Sequence, residues 1–231
     1  MIAGIIAAGE GTRLKSEGIA SPKPLVEVGG TPIIGRLLKS LANAGISSVC
    51  CIINEDSTEV RDYVESLLLP IPVSFLVKST PSSMHSLFEL SPRLRGGKFL
   101  LTTVDSIFAE SDLRDFLAAG EDDGAPDGLL AVTDYVDDEN PLFVETGKDG
   151  RVTSFSKSGR SPWITGGLYI FHPRIFDEIP DARRLGIERL RNFLSHLVRS
   201  GYDLRTHRFS KIVDVDHVRD IRTAERMLDG R

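Results

Sequence analysis

Short apolar runs alternate with amphipathic helical patterns throughout the first half of the chain. The apolar runs predict strands at residues 3–8, 48–53, 73–77 and 98–104. Apolar residues at helical spacing predict helices at residues 32–45, 57–69, 84–94 and 110–119. Parallel neighbouring strands need crossover connections, which helices supply. The alternation therefore predicts an α/β fold with a mostly parallel central sheet and helices on both faces.

The second half of the chain is less regular. Its patterns predict strands at residues 127–135, 142–146, 151–157, 163–171, 203–209 and 211–216, and helices at 187–201 and 217–230. No flexible linker divides the 231 residues, a length that suits one domain. We expect a single domain over 1–231, with halves 1–135 and 136–231 and a small β-rich insertion built from the middle strands.

Charge and cysteine content restrict the class of partner. The net charge of −5 leaves no basic surplus to neutralise a nucleic-acid backbone, so no nucleic-acid partner is expected. No apolar run approaches the roughly 20 residues of a membrane span, so no membrane partner is expected. The adjacent Cys50 and Cys51 should point to opposite faces of one strand as buried free thiols. These features, with no signal-peptide pattern, predict a cytoplasmic location.

A glycine-rich stretch, AAGEGTRL at residues 7–14, follows the first predicted strand directly. Ligands of parallel sheets bind outside the carboxyl ends of the strands, where this loop lies. Gly9 and Gly11 permit positive φ angles, so successive backbone N–H groups can converge on one anion. The planar guanidinium of Arg13 suits phosphate oxygens. Together these features predict a loop that cradles a triphosphate tail.

Two better-known phosphate loops fit this stretch less well. A dinucleotide-binding loop would have a third glycine in place of Leu14 and an acid about 20 residues further on, but the second strand ends only near Glu55. A dinucleotide-binding loop would also run straight into a helix, whereas here Ser21, Pro22 and Pro24 follow and disfavour a helix. A Walker A loop requires Gly-Lys followed by Ser or Thr, which this stretch lacks.

One lysine stands between two prolines in SPKPL, residues 21–25. Pro22 and Pro24 restrict the backbone to extended shapes, so Lys23 should be held on a stiff segment. A lysine in such a loop is often merely solvated. Because it follows the glycine loop so closely, we interpret Lys23 as a second phosphate ligand.

The two stretches together resemble a known family. AAGxGTRL followed by PKPL is similar to the signature of the nucleotidyltransferases that make nucleotide sugars and related activated alcohols. The resemblance implies a Rossmann-like, three-layer α/β/α fold whose β-rich insertion forms the acceptor side. It implies transfer of a nucleoside monophosphate from a nucleoside triphosphate to a phosphorylated sugar or alcohol, giving an NDP-sugar or CDP-alcohol and pyrophosphate, with Mg²⁺ as cofactor. The residues it places on the nucleotide are Ala8, Gly9, Gly11, Thr12, Arg13 and Lys23.

The resemblance also implies that carboxylates hold the metal. Asp105 ends an apolar strand where the family has a metal aspartate, so that the implied catalytic residues are Arg13, Lys23 and Asp105; alternatively Asp105 caps a local turn. Asp214 and Asp216 are two apart on a late strand and share a face, so either could be the second ligand, with Asp216 favoured. The alternative role for Asp216 is the N-cap of the last helix.

The acceptor and base regions match the family less closely. The implied acceptor residues are Glu145, Lys157, Thr165, Gly166 and Gly167, although FSKSGR keeps only the lysine of the family's Glu-Lys-Pro segment and strand glycines also mark bulges. The residues implied at the base are Ser82, Ser83 and Ser86, which could instead cap a helix. Their pattern resembles the cytidylyl-transferring branch and favours CTP. Two other functions stay open: a guanylyltransferase resembling those that mature the molybdenum cofactor, and a non-catalytic nucleotide-binding regulatory paralogue.

Overall fold

A computed structural model describes residues 1–121, 124, 126–136, 139–159 and 161–230. The strands are β1 (Ile2–Ala7), β2 (Glu27–Val28), β3 (Thr31–Pro32), β4 (Ser48–Ile53), β5 (Val73–Val77), β6 (Phe99–Thr103), β7 (Ser106–Phe108), β8 (Gly128–Thr133), β9 (Phe143–Thr146), β10 (Val152–Ser156), β11 (Ile164–Phe171), β12 (Leu204–Arg208) and β13 (Ile212–Asp214). The α-helices are α1 (Thr12–Ser16), α2 (Ile33–Asn43), α3 (Glu59–Glu65), α4 (Ser83–Leu94), α5 (Glu110–Glu121), α6 (Ile179–Arg184), α7 (Leu190–Arg199) and α8 (Val218–Leu228).

A nine-stranded sheet runs through the described part of the chain. Its order is β10-β9-β11-β6-β1-β4-β5, with β8 beside β11 and β12 beside β8. Strands β6, β1, β4 and β5 are mutually parallel, and β11 runs antiparallel to β6. The predicted α/β fold with a mostly parallel central sheet is confirmed.

The two faces of the sheet carry separate cores. Along β4, Cys51 and Ile53 pack on the face covered by α2, α3 and α5, whereas Cys50 and Ile52 pack on the face covered by α4 and α7. Both cysteines are buried free thiols, as predicted. Apolar side chains thus alternate along a strand because both of its faces are covered by helices, which confirms the three-layer arrangement.

A short antiparallel pair, β7 with β13, joins distant parts of the chain. Asp214 lies opposite Ser106 in this pair, and the backbone N–H of Val215 donates to the carbonyl of Asp105 at 3.0 Å. The pair therefore carries the late aspartates to the carboxyl end of β6.

Two elements differ from the sequence expectation. The glycine loop does run straight into a helix, α1, so the expectation that it does not is wrong; this helix ends before Gly18, at φ 93°, and the prolines lie beyond it. The helix predicted at 57–69 extends only over Glu59–Glu65. Pro70 disfavours a helical conformation in Leu69, the predicted last residue. Among the described helices, none combines the length and the apolar character needed to cross a membrane.

Candidate active site

A cavity of about 420 Å³ opens where β1 and β6 end; we call it the loop cavity. Its lining includes every residue predicted to bind the nucleotide: Ala8, Gly9, Gly11, Thr12, Arg13, Lys23, Ser82, Ser83 and Ser86. Asp105 and Asp216 also line it, whereas Asp214 does not. Residues predicted from separate stretches of sequence are thus brought to one place.

Only one of the two loop glycines uses a conformation that favours glycine. Gly11 has φ 61° and ψ 34°, in the left-handed region. A Cβ atom on Gly11 would lie 3.0 Å from the Cβ of Lys23, so the loop packs closely on the lysine segment. Gly9 does not have a positive φ and has open space around it, so the positive φ expected there is not observed.

Lys23 lies between two carboxylates at the floor of the loop cavity. Its Nζ donates to Asp105 and, at 2.6 Å, to Asp216 Oδ1, and its side chain is only 9% exposed. The lysine begins a 3-10 turn, Lys23–Leu25, so the segment is not fully extended as predicted, although Pro22 itself is extended, with ψ 141°. The interpretation of Lys23 as merely solvated is wrong, because a charged side chain this buried requires partners.

Lys23 and Asp105 each favour the charged form of the other. Burial by itself lowers the pKa of Lys23, but the charges of Asp105 and Asp216 outweigh this effect and hold the pKa above its usual value. Burial likewise raises the pKa of Asp105, but the lysine charge outweighs it and lowers that pKa overall. Lys23 and Asp105 are therefore charged together at neutral pH.

Asp214 has a different environment from Asp216. Its Oδ1 accepts a hydrogen bond from Ser106 Oγ at 2.8 Å. Burial, followed by the charge of Asp105, raises the pKa of Asp214 to about 7. Asp216, in contrast, accepts from Arg13 Nη1 at 2.6 Å in addition to Lys23. Asp216 is not the N-cap of α8, since that position belongs to His217.

Sequence reasoning missed the contacts that attach the glycine loop to the last helix. Glu17, at the end of α1, contacts His217 Nδ1 at 2.5 Å and accepts from the backbone N–H of Val218 at 2.7 Å. Glu139 lies 3.8 Å from Arg13 and 3.4 Å from His217. Each of these residues looks like an ordinary surface charge in the sequence, and no local pattern marks it.

The base-side serines have specific partners. Ser82 Oγ donates to the carbonyl of Glu188 at 2.5 Å, and Thr80 Oγ1 pairs with Ser86 Oγ at 2.6 Å. Ser82 occupies the N-cap position of α4 but makes no capping side-chain bond, so the simple capping alternative does not hold for it.

A second cavity, of about 370 Å³, adjoins the first; we call it the acceptor cavity. The two share Ser82, Ser83, Thr103 and Asp105. The side wall of the acceptor cavity is formed by residues of β11, of α7 with the residue before it, and of β13: Thr165, Gly167, Tyr169, Arg189, Leu190, Arg191, Leu194 and Asp214.

Two of the five predicted acceptor residues line this cavity and three do not. Thr165 and Gly167 do, and Gly167 has φ 76° at a register shift in β11. Gly166 instead makes room for packing, because a Cβ there would lie 2.1 Å from Ile212 Cδ1. Lys157 is exposed, and Glu145 accepts a hydrogen bond from the backbone of Ser161 at 3.1 Å.

The carboxylates of Asp105 and Asp216, which line the loop cavity, are a pair that could hold a magnesium ion. Asp105 Oδ1 is buried and, within the described chain, has no hydrogen-bond partner. Such an unsatisfied buried oxygen is costly unless another ligand is bound. Across the described ranges no group of three or more potential metal ligands is found. A pair of carboxylates completed by phosphate oxygens and water suits Mg²⁺, which keeps several waters in its shell.

The family model described as Nucleotidyl transferase matches residues 2–228. The chain belongs to this family. It is similar to the mannose-1-phosphate guanylyltransferase of Mycobacterium tuberculosis, with 24% identity over 98% of this chain and 62% of the relative. It is also similar to the probable glucose-1-phosphate cytidylyltransferase of Bacillus subtilis, with 24% identity over 78% of each chain.

Solved structures of the same fold cover nearly the whole chain. The inositol-1-phosphate CTP transferase from T. maritima superposes with a TM-score of 0.83 at 20% identity, covering 98% of this chain and 94% of that one. The CTP:phosphocholine cytidylyltransferase from Streptococcus pneumoniae gives 0.77 at 22% identity, covering 98% and 99%. These likenesses confirm the Rossmann-like fold.

The relatives are named for transfer to phosphorylated sugars or alcohols, which does not favour the two alternative functions considered above. They differ in the nucleotide named, so that family membership alone does not select a base. The chain spans 62% and 58% of the lengths of the first two curated relatives that it matches.

Proposed function

We propose that this chain transfers a nucleoside monophosphate from a nucleoside triphosphate to the phosphate of a phosphorylated sugar or alcohol, releasing pyrophosphate. The observation that carries the proposal is Lys23 Nζ held between Asp105 and Asp216 at the floor of the loop cavity. A family shown to be that of nucleotidyl transferases supports the same class of reaction.

The chemistry requires positioning and charge neutralisation from the protein. An oxygen of the acceptor phosphate attacks the α-phosphorus in line, and the bond from that phosphorus to the pyrophosphate oxygen breaks. A phosphomonoester dianion is already a nucleophile, so that no general base is needed. Arg13 and Lys23 offset the charge of two mutually repelling anions, and the adjoining cavities bring donor and acceptor together beside Asp105.

Magnesium would be held by Asp105 and Asp216. When bound, it supplies charge neutralisation and orientation of phosphate oxygens. Asp216 is proposed as the second ligand because it lines, with Asp105, the loop cavity assigned to the nucleotide, whereas Asp214 shares only the acceptor cavity with Asp105. Asp214, with Thr165 and Gly167, is assigned to acceptor contacts instead.

We assign the base to the hydroxyl-lined end of the loop cavity, at Ser82, Ser83 and Ser86, with CTP as the donor. A serine hydroxyl oxygen can accept from the amino group of cytosine even where, as at Ser82, its hydrogen is donated to another group. A thermal-shift comparison of CTP, UTP, dTTP, GTP and ATP with magnesium tests this, because bound ligands raise the melting temperature. A larger shift with a purine nucleotide would overturn the base assignment and leave the reaction class standing.

Replacing Asp105 tests the reaction itself. Asp105→Asn keeps the shape but removes the charge that faces Lys23, and we expect pyrophosphate release to fall by about 100-fold or more. Asp115→Asn is the matched control, since Asp115 is exposed on α5 and lines neither cavity. Pyrophosphate release at the wild-type rate by a folded Asp105→Asn variant, measured across a panel of phosphorylated sugars and alcohols, contradicts the proposal.

A further inference from the structure

The wall of the acceptor cavity contributed by α7 and the residue before it carries two arginines, Arg189 and Arg191. Arg191 donates to the carbonyl oxygen of Asn140 at 3.2 Å, a neutral partner. Within the described ranges, neither guanidinium has a carboxylate within ion-pair distance, and the side chain of Arg189 has no hydrogen bond to another described residue. Two cations without a carboxylate partner thus line one cavity, an arrangement suited to an anionic ligand.

The segment that carries the two arginines contacts a residue of the loop cavity. The carbonyl of Glu188, the residue immediately before Arg189, accepts the hydrogen bond of Ser82 Oγ. Ser82 lines both the loop cavity and the acceptor cavity. The arginine segment is therefore fixed at the junction of the two cavities, where the acceptor phosphate must lie if it is to reach the α-phosphorus.

Lys157, the lysine that the resemblance implied at the acceptor, is not part of either cavity. It is exposed. A phosphomonoester that enters beside the carboxylates of Asp105 and Asp214 needs cations to offset the repulsion. Arg189 and Arg191 supply this positive charge.

We propose that Arg189 and Arg191 bind the phosphate of the acceptor and so determine that the acceptor is a phosphomonoester. This inference rests on the proposed function and extends it to residues that the sequence did not single out. The planar guanidinium groups donate paired hydrogen bonds to phosphate oxygens, and a single charge-assisted bond contributes enough to change affinity by about ten- to a hundredfold.

Steady-state kinetics of single variants tests the assignment. With saturating nucleotide, Arg189→Gln and Arg191→Gln should each raise the acceptor KM about ten- to a hundredfold and leave the nucleotide KM unchanged. Arg→Lys variants at the same positions should recover part of the loss, because the charge remains. Arg199→Gln, on the exposed end of the same helix, is the matched control and should behave as wild type. An unchanged acceptor KM in the Gln variants, or equal rises in both KM values, overturns the proposal.

A binding readout separates this inference from the reaction. Inorganic phosphate, used as the probe, should raise the melting temperature of the wild type and of Arg199→Gln, and this rise should shrink in the Arg189→Gln/Arg191→Gln double variant. An undiminished rise in the double variant refutes the phosphate site even if the enzyme releases pyrophosphate. Conversely, if the protein releases no pyrophosphate but shows the arginine-dependent rise in melting temperature, the proposed reaction is overturned and the proposed anion site is supported.

Discussion

Replacing Lys23 by Met removes the charge between Asp105 and Asp216 while keeping most of the side-chain volume. Loss of one partner from a buried ion pair costs about 3–5 kcal/mol, because the remaining charge stays buried and unpaired. Lys23 is 9% exposed but Asp216 is 35% exposed, so water partly screens the remaining charges. We therefore expect the low end, about 3 kcal/mol of unfolding free energy. For a domain of this size that corresponds to a melting temperature lower by about 6–12 °C.

The pH dependence of this loss has a definite sign. In the wild type the pKa of Asp105 is lowered, so the ion pair stabilises the protein above the unfolded pKa, and this contribution is lost as the pH falls through the folded pKa. Without Lys23, burial and the neighbouring acids raise the pKa of Asp105 instead. Protonation of Asp105 at low pH then removes the unpaired buried charge and stabilises the variant. The difference in unfolding free energy between wild type and variant should narrow from pH 7 to pH 4.

Guanidinium unfolding of both proteins at several pH values measures this difference. Lys39→Met is the control, since Lys39 is exposed on α2 and no ion pair is found for it among the described residues. A Lys23→Met variant as stable as the wild type at pH 7, or a difference that widens in acid, refutes the reasoning.

Two further changes test the loop and its attachment. Gly11→Ala should cost about 1–2 kcal/mol of unfolding free energy because Gly11 has a left-handed backbone conformation. Gly9→Ala, where the added Cβ would meet open space, should change the unfolding free energy by no more than about 0.5 kcal/mol. Denaturant titration compares the two variants, and equal costs would contradict the geometry. The hydrogen bond that His217 donates to Glu17 raises the pKa of His217, so this contact stabilises fully below the unfolded pKa of His217 and is lost as the pH rises through its folded pKa. The loss of melting temperature in Glu17→Gln should therefore be larger at pH 6 than at pH 9, and an equal loss at both would argue against the contact.

Local pattern was sufficient for the elements that are covered on both faces. The strand Ser48–Ile53 has the predicted limits, because a continuous apolar run bounded by polar residues marks a buried parallel strand. The edge strand Val73–Val77, none of whose residues is fully buried, also has its predicted limits. That the glycine loop and Lys23 line one cavity was also predictable, since the loop and the lysine segment lie close together in the sequence and at the same edge of the sheet.

Long-range contacts were not predictable from single residues. Glu17 and His217 meet across 200 positions of sequence, and each on its own is typical of a solvated surface. The arginines at 189 and 191 belong to an amphipathic helix pattern whose polar face carries no mark of a ligand. Which of two neighbouring aspartates faces which cavity depends on the pairing of β13 with β7, a register that the local sequence does not encode.

The pairing of β7 with β13 has a consequence for when the site can exist. Lys23 and Asp216 are 193 positions apart, and their contact depends on the late strand being seated beside residue 106. During synthesis, the glycine loop and the lysine emerge long before the second carboxylate does. A fragment that stops short of this strand can hold much of the sheet but has only one carboxylate of the Asp105–Asp216 pair, so the site on which the proposed reaction depends forms only after β13 has paired with β7.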